Sequence, residues 1–188
     1  MDWGIKELAK SSFIDKPRLE AEWLLKECLG WSTVDLIKNE SAILSSSQVV
    51  QFQHWVKRRH SGEPFAYIVG YRDFYRSRFK VGPGVLIPRP ESEQMVERAV
   101  DWVRDHILNS GKLPKIVDLG SGSGCLGLSI LNEVGGHLWA VENSQLALKY
   151  LRQNILQLNL SSKVDVLEEK VQELVLDFQV DLVVANPP

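Results

Sequence analysis

The sequence predicts an α/β protein: a small N-terminal helical bundle, a β-hairpin linker, then a parallel sheet wound with helices. Three observations carry this. Up to about residue 60, apolar residues recur at helical spacing between Pro, Ser and Gly punctuation. Residues 63 to 90 switch to strand-type residues broken by glycines. From residue 115, short apolar strands alternate with helical stretches, the pattern of right-handed crossovers in a doubly wound sheet.

The elements follow in order. Pro17 opens a helix carrying Leu19, Ala21, Trp23, Leu24, Leu25 and Cys28, and Gly30 stops it. Ser45, Ser46 and Ser47 offer caps for a helix with Val49, Val50, Phe52, Trp55 and Val56, with Gly62 beyond its end. Trp3, Trp23, Trp31 and Trp55 are expected in the core of this bundle, rather than as stacking platforms for bases. Phe65, Tyr67, Ile68, Phe74, Tyr75, Phe79 and Val81, interrupted by Gly70, Gly82 and Gly84, read as a hairpin running into Leu86-Ile87-Pro88-Arg89-Pro90. Ser92 as cap, or Pro90 as entry, begins a helix with Met95, Val96, Ala99, Val100, Val103 and Ile107 on one side. Strands are expected at 116–119, 138–142, 164–167 and 180–185, with helices through Leu126–Leu131 and from about Ser144 to Leu158. The domains are accordingly 1–62 helical, 63–90 hairpin and linker, and 91–188 α/β.

Composition sets limits. The 188 residues carry a net charge of −2, which gives no general attraction for nucleic acid. Cys28 and Cys125 are far apart and read as reduced thiols of a cytoplasmic protein. His54, His60, His106 and His137 lack ligand spacing, so no metal is expected. No signal region is visible, and no run approaches the roughly 20 apolar residues of a membrane span.

The chemistry concentrates in two places. Gly120-Ser121-Gly122-Ser123-Gly124 joins the first sheet strand to its helix. Glycines there let the backbone approach a ligand, and Glu142, 22 residues after Gly120, ends the next strand where a carboxylate suits ribose hydroxyls. Gly122, Gly124 and Gly127 also fit the dinucleotide fingerprint, so the loop alone leaves a nicotinamide cofactor and S-adenosylmethionine open. Asp118, just before the loop, suits an α-amino group better than a pyrophosphate. The second place is Asn186-Pro187-Pro188 after the last strand. Prolines remove backbone donors and leave carbonyls free to accept, and the Asn side chain adds an acceptor, which makes a site for holding an NH2 group.

These motifs, with Glu63-Pro64-Phe65-Ala66-Tyr67-Ile68-Val69-Gly70, Phe74, Phe79, Val81 and Val85-Leu86-Ile87-Pro88-Arg89-Pro90-Glu91-Ser92-Glu93, resemble the release-factor glutamine methyltransferases. The resemblance covers essentially the whole chain, and Ile-Pro-Arg-Pro-Glu-Ser-Glu is its most specific segment. It implies a substrate-docking helical domain, a Rossmann-like methyltransferase domain and S-adenosylmethionine as cofactor. The acceptor it implies is the side-chain amide nitrogen of the glutamine in the Gly-Gly-Gln motif of peptide chain release factors. By resemblance, the catalytic groups are the Asn186 side-chain oxygen and the Pro187 carbonyl. Asp118, Gly120, Ser121, Gly122, Ser123, Gly124, Glu142 and Asn186 would line the cofactor. Asn186, Pro187, Pro188 and Arg89 would meet the substrate, Arg89 aimed by its flanking prolines. Release factors are then the partners of an expected monomer, with no direct nucleic-acid or membrane contact.

Three departures are visible. No aromatic residue follows Pro188, Glu142 stands where the family has Asp, and Lys170-Val171 replaces an acidic-aromatic pair, leaving Glu168 or Glu169 as substitutes near adenine. About four of the fold's seven strands are expected, so the domain reads as C-terminally incomplete and the chain as weakly active or inactive. The rival functions are a nucleic-acid amino-methyltransferase, a non-catalytic remnant that binds release factor or cofactor, and, more distantly, a dehydrogenase. From Lys57 to Arg89, eight basic residues against two acids offer a docking surface for an acidic partner or nearby RNA, or simply a solvated hairpin and helix end.

Overall fold

A computed structural model describes residues 1–186; Pro187 and Pro188 lie outside the described residues. The chain divides into two compact units, Met1–Val69 and Gly70–Pro188.

The first unit contains five helices: α1 (Asp2–Leu8), α2 (Pro17–Leu29), α3 (Thr33–Lys38), α4 (Ser46–His60) and α5 (Phe65–Val69). Their ends follow local chemistry. Pro17 starts α2 and left-handed Gly30 caps it, while Ser45 and Gln48 form a reciprocal capping box at the start of α4. The core is aliphatic with one ring: Leu8, Ile14, Ala21, Leu24, Leu25, Phe52, Val56 and Ile68. None of the four tryptophans is fully buried in it, contrary to expectation, although Trp55 packs against it. Trp3 and Trp23 are about two-fifths exposed, and Trp31 and Trp55 are half-buried. An indole on a short helix is too large to be enclosed by a bundle this small, so it packs by an edge, as Trp23 does on Phe65 at 6.1 Å.

Phe65–Val69 corrects a second expectation, being helix rather than strand. Both Tyr67 N and Ile68 N donate to the Pro64 carbonyl, and Gly70 at φ +85° ends the turn. Five apolar residues between Pro and Gly carry too little periodicity to choose.

The second unit opens with a hairpin, β1 (Tyr71–Phe74) and β2 (Ser77–Lys80). It is more than a linker, because Phe74 and Phe79 are 1% and 0% exposed within the unit's main core. A single 3-10 turn at Pro90–Ser92 leads into α6 (Glu93–Ser110). Then come β3 (Lys115–Leu119), α7 (Cys125–Val134), β4 (His137–Val141), α8 (Gln145–Gln157), β5 (Val164–Leu167) and β6 (Leu182–Ala185). The sheet is parallel in the order β5-β4-β3-β6. The last strand is shorter than the 180–185 expected, although Asp181 N still donates to the Lys115 carbonyl.

Side chains alternate across a strand. Ile116, Leu138, Ala140, Val164 and Val184 lie on the face that forms one core with α6, α7 and α8. On the opposite face Val183 is half exposed and Trp139 packs on Phe178 from the β5–β6 connection. Among the described residues of this unit, α6, α7 and α8 share that one core.

Candidate cofactor and acceptor site

The strand order reverses beside β3: β4 and β5 extend to one side and β6 to the other. Ligands of open α/β sheets bind in the crevice at the carboxyl ends of such strands. Both sequence motifs emerge there. Leu119 pairs with Ala185 in register, so Gly120 and Asn186 each follow the last residues of neighbouring strands, which run about 4.8 Å apart.

The glycine loop is held from below. Gly120 N and Ser121 N both donate to the Val141 carbonyl at 2.9 Å, and the Ser121 hydroxyl donates to the Asp118 carbonyl at 2.9 Å. Ser121 and Ser123 are buried, and the Ser123 carbonyl accepts from Asn154 Nδ2 at 2.8 Å. The Ser121 hydroxyl and the Ser123 carbonyl are thus engaged inside the fold. The glycines divide by role. A Cβ on Gly120 would meet nothing within 4 Å, and one on Gly122 would make only ordinary contact, with Val85 at 3.7 Å. Added at Gly124 it would strike Leu151 at 2.6 Å, and at Gly127 the Asp118 Oδ2 atom at 2.7 Å. Gly120 faces open space, whereas Gly124 lets the loop pack on α8 and Gly127 lets α7 pack on β3.

Two carboxylates take up two of the N–H groups that an anion would need. Asp118 shares a strand face with Ile116, points at α7 and is 2% exposed. Its Oδ2 accepts from Gly127 N at 3.0 Å, capping a helix whose own N-cap residue, Gly124, has no side chain. Glu142 Oε2 accepts from Gly122 N at 2.9 Å, while its Oε1 accepts from Asn143 N and Ser144 N at 2.9 and 2.8 Å. The longer Glu side chain thus folds back and ties the two loops together. Burial pushes the Asp118 carboxyl up to about 7, the Glu142 charge adding to it and the Gly127 N–H opposing it. Cys125 is pushed up to about 12 by burial, so it supplies no thiolate.

A loop whose amides already face two carboxylates is a poor cradle for a pyrophosphate and a good one for a cation bearing hydroxyls. The donor set fits S-adenosylmethionine, with its sulfonium, α-ammonium and ribose, better than a dinucleotide.

On the acceptor side, Asn186 is half-buried, and its Nδ2 donates to Ser92 Oγ at 2.9 Å. From the sequence Ser92 is expected as a helix cap. It occupies that position, makes no capping bond, and instead reaches Asn186. Nothing in a single sequence links positions 94 residues apart. Arg89 is exposed with extended backbone, and its carbonyl accepts from Ser92 N. The neighbouring Glu93 is structural: its Oε1 accepts from Tyr75 N at 3.0 Å. Near the expected adenine side, Glu168 is taken up by Arg152 and Gln145, and Glu169 is exposed.

Much of the basic stretch is neutralised. Arg58 pairs with Glu63, Arg59 with Glu20, Arg76 with Glu133 and Arg78 with Asp73. A cavity of about 410 Å³ in the first unit is lined by Arg18, Glu22, Leu25, Trp31 and Leu44 among others, and none of its lining residues is a candidate site residue. Among the described residues no helix is long and apolar enough to cross a membrane.

Comparison with known proteins matches residues 1–70 to the PrmC N-terminal domain family and residues 92–188 to the methyltransferase small domain family. A release factor glutamine methyltransferase of Rhodopirellula baltica is 34% identical over 176 residues, spanning 93% of this chain and 59% of that protein. The enzyme of that name from Coxiella burnetii is 44% identical over 142 residues, 75% of this chain and 50% of its own length. The one from Chlorobaculum tepidum is 33% identical over 198 residues, 99% of this chain and 67% of its own length. The chain thus spans between half and two thirds of these relatives. Among solved structures, the METTL16 methyltransferase domain superposes with a TM-score of 0.50 at 19% identity, covering 75% of this chain and 53% of that one; the likeness is one of fold.

Proposed function

Since the chain belongs to the release factor glutamine methyltransferase family, we propose that its site transfers a methyl group to a side-chain amide nitrogen of a release-factor glutamine. The glutamine is that of the Gly-Gly-Gln motif. The observation that carries this reading is the pairing of a carboxylate-occupied glycine loop with Asn186 at the same sheet edge. S-adenosylmethionine, when bound, supplies an electrophilic methyl on a sulfonium.

The residues of the chain supply position and field. Open space at Gly120 admits the cofactor to the backbone, the Glu142 carboxylate sets a negative potential beside it, and the buried Asp118 lies under the loop. The acceptor amide is a weak nucleophile, because its lone pair is delocalised into the carbonyl. Asn186 Oδ1 accepts one of its N–H bonds, and the Pro187 carbonyl, outside the described residues, would accept the other. Held at both N–H bonds, the nitrogen is turned so that its lone pair faces the methyl. Its surplus proton leaves to water after transfer. Such positioning can supply effective molarities of roughly 10⁵–10⁸ M, so no strong base is needed. Pro188 and Arg89 complete the proposed substrate contacts, and Ser121, Ser123 and Gly124 complete the loop that lines the cofactor.

The test is calorimetric titration with S-adenosylmethionine, followed by mass spectrometry of release factor and of duplex DNA after incubation with the chain and cofactor. Slow transfer of one methyl to the motif glutamine is expected, with Asn186→Ala reducing it roughly a hundredfold. Methyl appearing on DNA, or selective binding of a nicotinamide dinucleotide, would overturn the assignment.

A further inference from the structure

We propose that Ser92 is the positioning residue for Asn186, fixing which end of the Asn amide faces the acceptor; this rests on the reading above. An Asn side chain offers a donor at one end and an acceptor at the other, and a half-turn exchanges them. Only the acceptor end can hold a substrate N–H; the donor end would oppose it. Ser92 Oγ accepts from Asn186 Nδ2 at 2.9 Å, the orientation that leaves Oδ1 for the substrate.

The surroundings make Ser92 a firm anchor. It is 8% exposed, so water competes poorly for its hydroxyl. Its own N–H donates to the Arg89 carbonyl at 3.0 Å, and the adjacent Glu93 accepts from Tyr75 N in the hairpin turn at 3.0 Å. Pro90 fixes the backbone at the start of this short turn. Asn186 is therefore gripped between a segment pinned to the hairpin and the strand that pairs with β3. The hydroxyl touches no reacting atom in this scheme and acts wholly through Asn186.

The experiment compares wild type, Ser92→Ala and Ser92→Thr in two measurements. Heteronuclear NMR of the side-chain amides, with the Asn186 signal identified by its loss in Asn186→Asp, reads the hydrogen bond directly. Wild type and Ser92→Thr are expected to show one shifted, slowly exchanging Nδ2 proton, and Ser92→Ala the pair of a free amide. Steady-state methylation of release factor is expected to show kcat reduced about tenfold in Ser92→Ala with KM for release factor nearly unchanged, and recovery in Ser92→Thr. An Asn186 signal indifferent to Ser92→Ala, or a Thr variant as impaired as the Ala variant, would overturn the proposal. If wild type methylates DNA and not release factor, the assigned reaction fails, and the NMR comparison decides the Ser92–Asn186 contact by itself.

Discussion

At the scale of single residues, the site turns on where two carboxylates spend their lone pairs. Glu142 accepts from three backbone amides across two loops, so replacing one of its oxygens by NH2 must set a donor against a donor. Glu142→Gln is expected to weaken S-adenosylmethionine about tenfold in calorimetry, the equivalent of 1.4 kcal/mol, and to hasten hydrogen exchange at the Gly122 amide. Unchanged affinity would show that Glu142 serves the loop and not the ribose. That an acidic residue ends β4 was legible from spacing alone. That its carboxylate is already engaged was not, because the partners are main-chain groups brought together only by the sheet register. Asp118 was half legible: the period-2 alternation that buries Ile116 puts Asp118 under α7, which a strand reading could have extracted.

At the scale of elements, one buried side chain joins three of them. Asn154 on α8 is fully enclosed, accepts from Lys80 N at 2.7 Å, and donates to the Lys80 and Ser123 carbonyls at 3.1 and 2.8 Å. It fastens the end of β2 and the glycine loop to the same helix. Asn154→Asp keeps the shape but has no hydrogens to give, leaving two carbonyls facing a carboxylate. A loss of about 2 kcal/mol or more is expected, since each buried unpaired polar group costs roughly 1–3 kcal/mol. Thermal unfolding should fall by several degrees, and an unchanged transition would mean that water replaces the bonds. In the sequence Asn154 is one polar residue in an amphipathic helix, indistinguishable from a solvated one. The helices and strands were readable from caps and periodicity wherever they were long, as in α6 with its buried Val96, Ala99, Val100 and Val103. They failed where five residues had to declare themselves, in α5, and where residue type stood in for burial, with the tryptophans.

At the scale of the whole molecule, the buried Asp118 couples folding to pH in a direction opposite to most carboxylates. Its folded value is raised to about 7, above that of an exposed carboxyl. The native state therefore keeps a proton that the unfolded chain releases between pH 4 and 7. Stability from this group is full below the unfolded value and is lost as pH rises through the folded one, an effect on the order of 4 kcal/mol across the window. Glu7, Asp35 and Glu63 are lowered by their hydrogen-bonding partners and contribute the opposite slope, but they do so equally in any Asp118 variant. Asp118→Asn preserves an oxygen to accept from Gly127 N and carries no charge to bury. The variant is expected to gain on wild type steadily from pH 4 to 7 in denaturant unfolding, with the difference levelling above pH 8. Parallel stability curves would mean that the Asp118 carboxylate is as well solvated, folded, as in the open chain.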